Sequence, residues 1–193
     1  MIPLTDVIGS YGELKHEIDA AIQRVLASGW YILGEEVELF EQQYAAYCGA
    51  NHCVGVANGL DALILGLRVV GVGPGDEVIV PSNTYIATWL AVSALQAKPV
   101  PVEPDPRTHC LDPALTEQAV TARTKAIMPV HLYGHPADMR SLCAIAKARG
   151  LYIVEDAAQA HAARIEGKPI GAHGDVVAWS FYPTKSLGAF GDA

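Results

Sequence analysis

Apolar positions recur at helical spacing in the first quarter of the chain and give way to short unbroken runs after it. Between residues 13 and 28, Leu14, Ile18, Ala21, Ile22, Val25 and Leu26 fall on one helical face, and Gly29 follows as a stop signal. A second helical pattern covers residues 35–47 and ends before Gly49. The chain then alternates short apolar runs with helical stretches: "CVGVA" then 60–70, "EVIVP" then 85–96, "AIMPVH" then 138–149, and finally "LYIVED" and "VVAWSF". Several runs are apolar at successive positions, as strands covered on both faces must be. This alternation predicts an α/β fold with a largely parallel sheet flanked by helices, whose ligands gather at the carboxyl ends of the strands. The proline-rich stretch "VEPDPRTHCLDP" reads as a surface connection rather than a domain boundary. The N-terminal helices, about 1–48, are expected to precede an α/β part covering about 49–193.

Composition narrows the possibilities. A chain of 193 residues with 51% hydrophobic content can bury a core and suffices for one domain. The net charge of −8 comes from scattered Asp and Glu, and no basic block offers a track for a phosphate backbone, so nucleic acid is not an expected partner. The start "MIPLTDVIGS" lacks the basic and apolar stretches of a signal peptide, and no apolar run reaches membrane-spanning length. A cytoplasmic location without membrane contact is expected. Cys48, Cys53, Cys110 and Cys143 show no CxxC spacing and read as buried reduced thiols.

Three stretches could carry chemistry. In "ANGLDAL", Asn58 can cap a helix, Gly59 allows a ligand close to the backbone, and the free amides of the first turn attract an anion; a plain capped turn is the other reading. In "IVEDAAQAH", a buried strand delivers Glu155 and Asp156, with Gln159 beyond them. Such carboxylates need a cationic neighbour, which a ligand's protonated ring nitrogen or a neighbouring Arg or Lys could supply. In "SFYPTKSLGAFGDA", Lys185 could form a Schiff base or could simply snorkel from an apolar loop, and Ser180 could donate to a phosphate. Together the three offer what pyridoxal phosphate requires: a phosphate site, an acid for the ring nitrogen and an amine for the aldehyde.

The stretches "SGWYILGEEVELFE", "GVANGLDAL", "GVGPGDEVIVPSNTYIAT", "RTKAIMPVHLYGHPADM", "IVEDAAQAH" and "SFYPTKSLGAFGDA" follow one another in the order of a known family. The sequence resembles the DegT/DnrJ/EryC1/StrS group of pyridoxal-phosphate sugar aminotransferases, and most of all its nucleotide-linked 3-keto-6-deoxysugar transaminases. The resemblance implies the large domain of the aspartate-aminotransferase-like fold (fold type I), truncated here so that the small C-terminal domain is missing. It implies that Lys185 binds the cofactor covalently and moves the proton in catalysis. Asp156 would keep the pyridine nitrogen protonated, Gln159 would approach the ring hydroxyl and Tyr85 would stack on the ring. Asn58, Gly59, Leu60 and Ser180 would form the phosphate site. The reaction implied moves an amino group from glutamate to a nucleotide-linked ketosugar, dTDP being the expected nucleotide, in deoxyaminosugar biosynthesis. A homodimer with the site at its interface is also implied.

The sequence departs from the family pattern at Leu60, where many members have Thr, at Ser186, where Asn is usual, and at Ala162, where Gly is usual. Relatives with His in place of the lysine are dehydratases, and Lys185 favours transamination over that alternative. A non-catalytic binding or regulatory protein on the same fold is the reading from another class. "GVGPG" precedes a strand instead of following one and reads as a turn, not a dinucleotide fingerprint. His131 and His135 have the spacing of a helical zinc pair, but Gly134 and Pro136 oppose a helix there, so no metal is expected. "YPTK" lacks both the spacing and the glycine-rich partner of a short-chain dehydrogenase.

Overall fold

The structure, a computed structural model, describes residues 6–193. The chain divides into two compact units, Met1–Gly55 and Val56–Ala193.

The first unit holds two helices, α1 (Val7–Ser28) and α2 (Glu35–Cys48). Asp6 caps α1 by accepting from Gly9 N–H, so the helix begins earlier than its apolar periodicity suggests. Gly29 and Gly49 end the two helices. Glu35, Glu36 and Glu38 crowd the first turn of α2, where negative charge suits the helix dipole, and Arg24 pairs with Glu36 at 2.7 Å.

The second unit is a parallel sheet with helices on both faces. Its elements are α3 (Gly59–Val69), β1 (Glu77–Pro81), α4 (Ile86–Ala94), β2 (Lys98–Val102), α5 (Pro113–Ala119), β3 (Thr124–Ile127), α6 (Met139–Arg149), β4 (Tyr152–Asp156), β5 (Arg164–Ile165), β6 (Lys168–Pro169) and β7 (Val176–Ala178). The sheet order is β2-β1-β3-β4-β7, with every neighbouring pair parallel, while β5 and β6 form a separate antiparallel ribbon. Alternation within the apolar strands divides the core. Val78, Val80, Ala126 and Val154 join Leu63 and Leu67 of α3 and Ala91 and Val92 of α4. Ile79, Ile127 and Ile153 face the other way, against Met139, Leu142 and Ala146 of α6. Gly66 lets α3 lie close on the sheet, because a Cβ there would stand 3.1 Å from a methyl of Val176.

One local expectation changes, and two elements lie where none was read. "CVGVA" forms no strand: Gly55 N–H donates to the Glu41 carboxylate at 2.7 Å rather than to a ladder, and a strand requires a partner for its amides. "KPVPV" does form a strand, β2, at the edge of the sheet. Its prolines are tolerated there because Pro99 and Pro101, two residues apart, direct their missing N–H groups to the same open side. A short helix, α5, follows the proline-rich connection; Asp112 accepts from the amides of Ala114 and Leu115, and Pro113 occupies the first turn. The four cysteines are free thiols; Cys48 and Cys110 are buried as expected, whereas Cys53 and Cys143 are only half-buried, and desolvation pushes each of the four pKa values up. No helix among the described residues is long and apolar enough to cross a membrane.

Candidate active site

The residues singled out in the sequence lie at the carboxyl ends of β1, β4 and β7 and at the start of α3. Asn58, in an extended conformation, caps α3 by accepting from Asp61 N–H at 2.8 Å. The amides of Gly59 and Leu60 belong to the first turn and have no acceptor four residues back, which leaves them to bind an anion. Ser180, two residues past β7, packs directly on this turn. A Cβ built on Gly59 would lie 2.8 Å from the Ser180 Cβ and 3.3 Å from its Oγ. The absent side chain thus brings the serine hydroxyl beside the helix N-terminus.

Asp156 ends β4 and is only 6% exposed. Its Oδ2 accepts from Thr88 Oγ1 at 2.8 Å, and its Oδ1 accepts from Ala158 N–H at 3.2 Å. Burial pushes its pKa above the ordinary carboxylate value, and the Thr88 hydroxyl, the Ala158 amide, His131 and the positive charge of Lys185 all oppose that rise. Lys185, half-buried in the turn after β7, is anchored through its backbone N–H to Tyr182 O at 2.8 Å. Its charge also opposes ionisation of His161, whose pKa is lowered mainly by burial. His161 lies between the rings of Trp179 and Phe181 and is bonded through Nε2 to Ser180 O at 2.8 Å.

Gln159 is oriented by a contact that fixes its amide. Tyr133 N–H donates to Gln159 Oε1 at 2.7 Å, and a backbone N–H can only donate, so the oxygen is committed and the Gln159 NH2 group is left to point elsewhere. Tyr133 reaches this position in a left-handed conformation, φ 57°, within the short 3-10 turn Leu132–Gly134. Tyr85 precedes α4 and is 74% exposed, with its carbonyl accepting from Thr88 N–H at 3.2 Å.

Glu155 and Asp156 part company at the end of β4. Glu155 is fully buried and accepts from Gly174 N–H at 2.5 Å, and it meets His131 Nε2 at 2.8 Å. His131 Nδ1 accepts from Ala137 N–H at 3.0 Å, so the ring proton sits on Nε2 and is donated to Glu155. His131 is thus part of an internal network rather than half of a pair with His135. Sequence reasoning missed Thr88 and Tyr133. Thr88 had a signal, a lone hydroxyl within the apolar helical run "IATWLAV"; the Tyr133 contact is made by backbone and left none.

The fit to pyridoxal phosphate rests on these features: a helix N-terminus with a serine hydroxyl packed on it, a buried acid with donors on both oxygens, and an amine whose field reaches that acid. The donor set suits the group. Comparison with known proteins agrees. Residues 13–193 match the DegT/DnrJ/EryC1/StrS aminotransferase family. The chain is 61% identical over 191 residues to the dTDP-3-amino-3,4,6-trideoxy-alpha-D-glucose transaminase of Streptomyces venezuelae, covering 99% of this chain and 50% of that protein. It is 59% identical to the erythromycin biosynthesis sensory transduction protein EryC1 of Saccharopolyspora erythraea, covering 99% of this chain and 52% of that one. The crystal structure of S. venezuelae DesV in complex with a ketimine intermediate superposes with a TM-score of 0.97 at 61% identity, covering 99% of this chain and 52% of the other. The chain spans about half the length of the curated relatives it matches.

Proposed function

The chain belongs to the DegT/DnrJ/EryC1/StrS aminotransferase family, and from that premise we propose that it forms the cofactor-binding part of a pyridoxal-phosphate-dependent sugar aminotransferase. The reaction transfers an amino group from glutamate to the 3-keto carbon of a dTDP-linked deoxysugar. The observation that carries this reading is the meeting of the α3 N-terminus, Ser180, the buried Asp156 and Lys185 at one end of the sheet. The name of the S. venezuelae relative supports the nucleotide and the position of the amino group.

Pyridoxal phosphate, when bound, supplies a conjugated ring that takes up the electron pair left by a broken C–H bond. Each residue then has a task. The amides of Gly59 and Leu60 and the Ser180 hydroxyl bind the phosphate, while Asn58 holds the first turn of α3 in place. The Asp156 carboxylate keeps a proton on the ring nitrogen. The Gln159 NH2 group, directed away from Tyr133, donates to the ring hydroxyl. The Tyr85 ring covers one face and excludes water. Lys185 would hold the cofactor, and its Nζ, when free, would move a proton between the cofactor and the donor's α-carbon in one half of the reaction and between the cofactor and the sugar carbon in the other. This reading also carries a homodimer with the site at the subunit interface, a cytoplasmic location and a small C-terminal domain beyond the large-domain residues 1–193.

Visible absorption of the purified protein with pyridoxal phosphate tests it, with Lys185→Ala as control and glutamate as the second addition. A lysine-dependent band that glutamate removes is expected, followed by amination of a dTDP-linked 3-keto-6-deoxysugar detected by mass. A band unchanged by glutamate would overturn transamination. It would favour the second reading, a regulatory binder, which the name of the S. erythraea relative raises.

A further inference from the structure

The hydroxyl of Thr88 is fully buried on α4 and is spent on a carboxylate 68 positions away in sequence. Thr88 lies in the first turn of α4, where the residue four back, Thr84, precedes the helix, so its hydroxyl is free to leave its own helix for another element. Thr116 on α5, equally buried, has an Oγ1 with no hydrogen-bond partner, so the fold does not require every buried threonine to find a carboxylate.

The hydrogen-bond direction is informative. A hydroxyl has one proton, and an ionised carboxylate can only accept. Thr88 therefore donates to Asp156 Oδ2, and its own oxygen is free to accept from Thr84 Oγ1, 2.8 Å away. The result is a directed chain from Thr84 through Thr88 to Asp156, with the Ala158 amide on the second carboxylate oxygen. A proton placed on Oδ2 would have to reverse the chain, because Thr88 would then need to accept there. The same α4 N-terminus carries Tyr85, so one helix start serves both the face and the nitrogen of a ring bound between them.

We propose that Thr88, backed by Thr84, is a positioning residue that keeps Asp156 ionised and aimed, and so sets how firmly the cofactor ring nitrogen holds its proton. The inference rests on the cofactor reading above. The other groups that act on Asp156 are the charge of Lys185, from the turn after β7, and the His131 ring, from the segment after β3; both favour the carboxylate, as Thr88 does. Lys185 is committed to the cofactor when it is present, and His131 to Glu155. Thr88 is the side chain that touches Asp156 directly.

Two measurements on the protein test this, the carbon-13 NMR titration of the Asp156 carboxyl without cofactor, assigned with Asp156→Asn, and equilibrium binding of pyridoxal phosphate as a function of pH. Thr88→Val keeps the branched shape and removes the donor. It should raise the Asp156 midpoint and weaken binding at neutral pH by about tenfold, with a larger loss at lower pH. Thr88→Ser should restore both. Should Thr88→Val fail to fold, Thr84→Val should shift both readings in the same direction by less. An unmoved midpoint, or a loss of affinity equal at every pH and not restored by serine, would reduce Thr88 to a packing residue and overturn the proposal. A wild-type protein that binds no pyridoxal phosphate while Thr88→Val still moves the midpoint would sink the cofactor reading and leave the control of Asp156 by Thr88 standing.

Discussion

A Cβ on Gly59 would lie 2.8 Å from the Cβ of Ser180 and 3.3 Å from the carbonyl oxygen of Trp179. The gap between helix start and strand end is therefore the width of a missing methyl. Gly59→Ala should overpack this contact and destabilise the chain by about 1–3 kcal/mol in chemical denaturation. It should also weaken binding of pyridoxal phosphate. Adding Ser180→Gly removes the atom that collides, so the double variant should recover stability but not phosphate affinity, which separates packing from binding.

Ala162 holds a left-handed conformation, φ 66°, at an exposed turn. An L side chain there costs roughly 1–2 kcal/mol, and glycine gives back part of that in chain entropy. Ala162→Gly should raise stability by about 0.5–1 kcal/mol, seen as a higher urea midpoint at unchanged slope. A lower midpoint would show that the turn carries no strain.

His131 and Glu155 are both fully buried and bonded to each other, and a backbone amide meets the remaining ring nitrogen and the remaining carboxylate oxygen. Glu155→Ala would leave the Nε2 proton of His131 and the Gly174 amide without acceptors. A loss of about 3–5 kcal/mol is expected, as for breaking a buried charged contact. A well-folded variant with an unshifted thermal midpoint would refute the structural role of the pair.

Two carboxylates should give the stability profile opposite slopes. Asp156 has its pKa raised by burial, so the cofactor-free folded chain binds its proton more tightly than the unfolded chain does. Stability from this group is present at low pH and declines as pH climbs from the ordinary value of 3.8 through the raised one. Asp156→Asn should remove that decline, making the cofactor-free variant more stable than the wild type at neutral pH while abolishing cofactor binding. Glu77 is the reverse case. Hydrogen bonds from Thr121 and Arg123 lower its pKa from 4.5 to about 2, so its contribution is present above 4.5 and lost as pH falls toward 2. Glu77→Gln should flatten that acid limb. Thermal melts across pH 2–8 check both slopes.

The buried strands and the main helices could be read from the sequence because core faces impose their period on the residues. Val78, Ile79 and Val80 in "EVIVP", and Ile153 and Val154 in "LYIVED", are apolar at successive positions since α3 and α4 cover one face and α6 the other. The partners of Asp156 could not be read this way. Its dependence on Thr88 is a contact made by tertiary packing of α4 on the sheet, and nothing in the spacing of the two residues encodes it. Strand β2 was hidden by its prolines, whose acceptability depends on which side of the sheet is open. Helix α5 was hidden for a different reason. Its cap and proline were visible as "LDP", but the turn-forming residues around them outweighed a helix of only 7 residues.

The two prolines of β2 also decide how this sheet can be enlarged. With Pro99 and Pro101 offering no donors, that margin is closed to any strand approaching from outside, which protects against stacking one molecule edge to edge on another. The opposite margin is β7, whose free side carries no such block among the described residues. Growth of the sheet is therefore directional, and a strand recruited at β7 would settle next to the segment that leads to Ser180 and Lys185. Assembly of the sheet and readiness of the lysine would then be reported by the same few residues.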